Sequence, residues 1–90
     1  MNAEQRKRLE RLMNELSAIS DDVSSIMNQV EEIRNEEEEK YDNLPESFQD
    51  GEKGDKLQQA MDNLDETYAC LDEVISSIES ANDWLYEAMQ

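Results

Sequence analysis

Across residues 9–33 the chain repeats apolar side chains with a period of seven. With heptad position a set at Leu9, position a holds Leu9, Leu16, Val23 and Val30, and position d holds Leu12, Ile19, Ile26 and Ile33. A repeat this regular, widened at position e by Met13 and Met27, predicts one long helix over about residues 3–42 with a stripe to bury against a neighbour. The pattern lapses after Ile33, where Glu37 falls at a and Lys40 at d, so the last turns should reach beyond the buried core.

The second half restarts the repeat with Leu57, Leu64, Leu71, Ile78 and Leu85 at a. Position d carries the smaller Ala60, Thr67, Val74, Ala81 and Ala88, and e carries Met61, Tyr68, Ile75 and Met89. Small residues at d beside large ones at a and e make a broad stripe suited to more than one neighbour. Between the two repeats lie the only proline and both glycines. Pro45 disfavours helix at Leu44 and can open a short helical turn, which Gly51 could close. Asp50 or Asp55 could cap the second helix. A connection of about 12 residues folds the helices back antiparallel, each roughly 50 Å long. The expected architecture is all-α: a single domain over residues 1–90, with helices over about 3–42 and 55–89 and a turn over about 43–54. This helical hairpin is expected to pair with a second copy as a homodimer, a four-helix bundle.

Charge narrows the function. Twenty-four acids face eight bases, a formal net charge of −16. Direct binding to nucleic acid needs arginine and lysine to displace counterions, so it is not expected. Acids on that scale suit solubility or a basic partner. The first helix opens with Arg6, Lys7, Arg8 and Arg11, the second closes with Asp83 and Glu87, and each cluster opposes its helix dipole. Antiparallel pairing brings the two together, where they can offset one another. Residues 31–56 hold eleven acids against Arg34, Lys40, Lys53 and Lys56, so the turn end is expected to be the most negative.

Without histidine the commonest general base and metal ligand is missing, and Cys70 has no imidazole partner. No catalytic residue is expected. The turn lacks the ligand spacing of a calcium loop, so neither a metal site nor a cofactor is expected. Cys70, at position g, reads as a partly buried filler, and a lone cysteine with a polar N-terminus fits the cytoplasm. No apolar run approaches the roughly 20 residues of a membrane span, so no membrane association is expected. Tyr68 should be buried, and Tyr41 and Phe48 should pack together at the turn. Trp84 and Tyr86 should either stack on Arg8 or Arg11 or mark a dimer contact.

The segment Tyr41-Asp42-Asn43-Leu44-Pro45-Glu46, followed by Phe48-Gln49, Gly54 and Met61-Asp62-Asn63-Leu64-Asp65-Glu66, resembles small acidic proteins encoded by phages and mobile elements of Gram-positive bacteria. That resemblance implies a bacterial host cell and carries no assigned site residues. Short acidic proteins in such settings include anti-CRISPR and anti-restriction inhibitors, some of which imitate the charge of nucleic acid. The functional expectation is therefore a non-enzymatic inhibitor of a basic nucleic-acid-binding protein, such as a CRISPR effector or a restriction enzyme. Its contact residues are expected at the turn end, Glu36, Glu37, Glu38, Glu39, Asp42, Glu46, Asp50, Glu52 and Asp55, helped by Asp62, Asp65 and Glu66 of the second helix. Duplex DNA carries about one charge per 1.7 Å, and a dimer of net charge −32 along roughly 50 Å would approach that density. The alternative is a structural or assembly coiled coil whose acidity serves only solubility.

Overall fold

A computed structural model describes all 90 residues as a rod with extents of 69 × 15 × 12 Å. Helix α1 spans Ala3–Asp42, α2 is the single turn Glu46–Gln49, and α3 spans Glu52–Ala88, antiparallel to α1. The all-α hairpin expected from the heptads is what forms. It is longer than the rough estimate, because α1 with its 40 residues spans ~60 Å by itself and the turn projects beyond it at one end.

Local chemistry sets each boundary. Asn2 caps α1, its Oδ1 accepting from the Gln5 backbone N–H at 2.8 Å while the Gln5 side chain accepts from the Asn2 N–H at 3.3 Å, a reciprocal box that satisfies two orphan donors. Pro45 leads into α2, whose Phe48 N–H reaches Pro45 O at 2.8 Å, as expected of a proline that opens a helical turn. Neither Asp50 nor Asp55 caps α3. Gly51 takes that position without a side-chain bond, and α3 begins at Glu52.

Two residues fasten the turn. The Gln49 Nε2 donates to the carbonyls of Tyr41 and Leu44, both at 3.3 Å, which ties α2 to the backbone that leaves α1. Gly54 is buried beneath the end of α2, and a Cβ there would lie 1.9 Å from the Gln49 carbonyl oxygen. Its backbone φ is ordinary, so the demand is for space alone.

The seam between the helices differs from the expected a and d columns. On α1 the half-buried and buried positions run Leu9, Met13, Leu16, Ser20, Val23, Met27, Val30 and Arg34, which are a and e. On α3 they are chiefly Leu57, Met61, Leu64, Leu71, Ile75, Ile78, Asn82, Leu85 and Met89, again a and e. The two deepest apolar residues are both at e, Met27 at 6% exposure and Met61 at 4%, each contributing about 1.5–3 kcal/mol by burial. A single neighbour covers only two of the three apolar columns, and α3 carries its bulk at a and e. The d column of α1 is left half in water, with Leu12, Ile19, Ile26 and Ile33 at 47 to 49% exposure.

Candidate functional site

Cross-links between α1 and α3 fix the register and show which heptad positions share a side. Arg34 Nε donates to Asp65 Oδ1 at 3.1 Å, and Asn82 Nδ2 donates to Ser17 Oγ at 3.4 Å. Both join an e position on one helix to a b position on the other. A groove on this flank is lined by Glu31, Arg34, Asp65 and Tyr68 over Val30 and Leu64. On the opposite flank a groove at the turn end is lined by Lys40, Lys53 and Lys56 over Leu44 and Leu57, which brings position d of α1 together with d and g of α3. The hairpin therefore has two unlike flanks, and antiparallel pairing puts equal heptad letters on the same one.

The b flank is acidic. Glu10, Glu31 and Glu38 line it from α1, and Asp65, Asp72 and Glu79 from α3, recurring about every 10.5 Å where they are seven apart. Arg34 stands among them, bonded to Glu38 and Asp65. Partial desolvation disfavours its charge, but Glu38 and Asp65 outweigh that and hold the guanidinium above its ordinary pKa. The back of α3 continues the field with Asp62, Glu66, Glu73, Asp83 and Glu87, all exposed, and α3 has no base beyond Lys56.

The expected contact acids are not one patch. Consecutive helical residues point about 100° apart, so Glu36, Glu37, Glu38 and Glu39 wrap around α1. Glu36 lies at the edge of the d flank. Glu37 is half-buried and accepts from Lys40 at 2.8 Å, Glu38 holds Arg34, and Glu39 points to the back. That hydrogen bond, and then the charge of Glu37, raise the Lys40 pKa. Asp42, Glu46, Asp50 and Asp55 are exposed around the turn without a cationic partner, whereas Glu52 pairs with Lys56 at 3.4 Å. Asp62 and Glu66 are free on α3, and Asp65 is committed to Arg34.

Charge compensation runs opposite to expectation. All four ion pairs involve bases of the turn end, namely Arg34, Lys40 and Lys56, while Lys53 sits 5.9 Å from the Phe48 ring centre. At the open end Arg6, Lys7, Arg8 and Arg11 make no ion pair with Asp83 or Glu87. Arg6 Nε instead donates to the Met89 carbonyl at 3.0 Å, answering the negative end of α3 through its backbone.

The d flank is apolar, the part of the broad stripe that the hairpin itself leaves uncovered. Its large row on α1 faces the same way as the small row Thr67, Val74, Ala81 and Ala88 on α3. Cys70, expected to be partly buried, is exposed here because position g borders a column that no helix covers. Tyr68 is also more exposed than expected, since it leans over the acidic groove. Phe48 is 51% exposed, with Lys53 beside its ring, and Tyr41 is half-buried. Trp84 is 73% exposed and stacks on no arginine. No three cysteine or acidic side chains converge as a metal site requires, and no helix is long and apolar enough to cross a membrane. No family model matches the chain, and neither curated proteins nor solved structures provide a match.

Proposed function

We propose that this chain is a non-enzymatic acidic binding protein that occupies a basic, nucleic-acid-handling partner in the cytoplasm of a bacterial host and competes there with nucleic acid. The observation that carries the reading is the uncompensated back and b flank of α3. Seven of its eight carboxylates beyond Leu57 have no cationic partner, they lie on one side of a straight helix, and the same helix offers no base there. Arginines that read phosphates or bases seek paired acceptors, and regularly spaced carboxylates supply them. The resemblance to mobile-element acidic proteins makes a CRISPR effector or restriction enzyme the partner to test first.

Charge density bounds how the competition works. Spread along 69 Å, one copy has a net charge only every ~4.3 Å, against ~1.7 Å for duplex DNA. Two copies side by side would reach one per ~2.2 Å, so duplex-like density requires pairing, and a single copy can cover only a short basic patch.

The test is capture of partners from host lysate at low and high salt, followed by a nuclease-inhibition assay. Changing Asp65, Glu66, Asp72 and Glu73 to their amides should weaken binding more than changing Glu36, Glu37, Glu38 and Glu39, because the former share a side and the latter do not. Binding indifferent to salt and to both sets would overturn the proposal. The exposed apolar d flank favours a second reading, an assembly protein whose apolar surface is functional and whose acids keep it soluble. In that case substitutions at Ile19 and Ile26 would abolish function and the amide variants would retain it.

A further inference from the structure

We infer that the d flank of the hairpin is covered by the same flank of a second copy of this chain, giving an antiparallel four-helix bundle. Three independent observations point to this occupant.

The first is area. A compact monomer of 10.5 kDa exposes about 5,400 Å², whereas this chain exposes 6730 Å². The excess of about 1,300 Å² belongs to the whole rod, and burying the roughly 800 Å² that each partner contributes to a standard stable interface would remove much of it. The half-exposed isoleucines and leucine of α1 supply an unbroken apolar strip for that contact.

The second is charge. Among the d and g positions of α1 and α3, four carry bases (Arg8, Lys40, Lys53, Lys56) and three carry acids (Glu15, Asp22, Glu36). The rest of the molecule holds the other 21 acids and four bases. In a chain of net charge −16 one flank is thus close to neutral, and it is the apolar one. Two such flanks meet with almost no net charge between them and with the acidic backs pointing away, and the lysines of the two copies gather only at the turn end, beside Glu36, Glu37 and Glu52.

The third is shape. The large row of α1 and the small row of α3 run at matching heights on the same flank, since Arg34 lies level with Asp65 and Ser17 with Asn82. A two-fold axis along the rod lays each large row over the partner's small row, so that Ile19 faces Ala81 and Ile26 faces Val74 of the other copy. Alternating large and small residues fill such layers without voids, and a surface that complements itself is what a two-fold contact requires. Trp84, the only tryptophan, lies at position g on the rim of this contact.

The inference holds whether or not the acidic side binds a basic protein, and its test is separate. Sedimentation equilibrium of the full chain at tens of micromolar should give twice the 10.5 kDa chain mass. Melting temperature should rise with protein concentration, as it does when association and folding are linked, and the Trp84 emission should shift to shorter wavelength on association. Ile19→Glu with Ile26→Glu should weaken self-association by ~100-fold or more, because each change puts a charge into the apolar contact. Asp72→Asn with Glu79→Gln, on the other flank, should leave it intact. A single-chain mass with a melting temperature independent of concentration would overturn the inference, as would a two-chain particle indifferent to the Ile19 and Ile26 changes. If the double glutamate variant loses its helicity, the mass and concentration dependence of the unaltered chain still decide.

Discussion

The two flanks of this hairpin are built by the same two helices, yet they differ in almost every property that governs contact. One presents carboxylates about a helical repeat apart with a single arginine among them. The other presents a strip of isoleucine and leucine fringed by lysines at the turn end. The difference comes from one choice of packing. With three apolar columns and one partner, α1 gives a and e to α3 and leaves d outside, and every position bordering d inherits that exposure. Sidedness in a two-helix protein is set by which column goes unused.

The largest break in this comparison is to turn the apolar flank acidic. Ile19→Glu with Ile26→Glu should cost at least about 3 kcal/mol of association, read by sedimentation, whereas the amide changes at Asp72 and Glu79 should cost nothing measurable. A smaller but broader effect comes from the turn that holds the flanks in register. Gly54→Ala drives a methyl group into the Gln49 backbone and should lower unfolding free energy by about 2–3 kcal/mol in a urea titration. Losing only the Gln49 cap by Gln49→Ala should cost about 1 kcal/mol by the same measurement. Arg34→Gln sharpens the contrast instead of breaking it. The ion pairs it removes are largely solvent-facing, so the urea midpoint should barely move, while salt sensitivity of partner binding should steepen as the acidic flank loses its only base. Smallest of all, moving from low to physiological ionic strength should raise the melting temperature by about a few degrees, because the self-repulsion of −16 charges is screened.

Helices, hairpin and antiparallel order were legible because the heptads are long and the breakers Pro45, Gly51 and Gly54 are confined to one stretch. The seam was harder to read, since a, d and e all carry large apolar residues in places and periodicity alone does not say which pair one partner will cover. On α3 residue size is a signal, because Met61, Tyr68, Ile75 and Met89 at e outweigh the alanines at d; on α1 it points the other way, since d holds leucine and isoleucines while e includes Ser20 and Arg34. Cys70 was misplaced for the same reason, as its burial followed only if d were covered. The cap at Asn2 and Gln5 was present in the sequence as an Asn followed three residues later by Gln, and was overlooked beside the heptads. The roles of Gln49 and Gly54 depend on α2 packing against the start of α3, a contact that local patterns do not encode. The run of four glutamates was read as a patch because it is contiguous in sequence, whereas a helix scatters contiguous residues and gathers those three, four and seven apart.

The matched register of α1 and α3 also governs how such a molecule can change length. Adding seven residues to each helix at the same height would extend the rod by about 10.5 Å and leave both flanks continuous. Adding them to one helix alone would strand a heptad without an opposite number, and adding a count far from a whole number of turns would swing the columns beyond that point around the axis. A lineage of such hairpins should therefore vary in length by paired heptads, with the turn carried along unchanged as a fixed end piece.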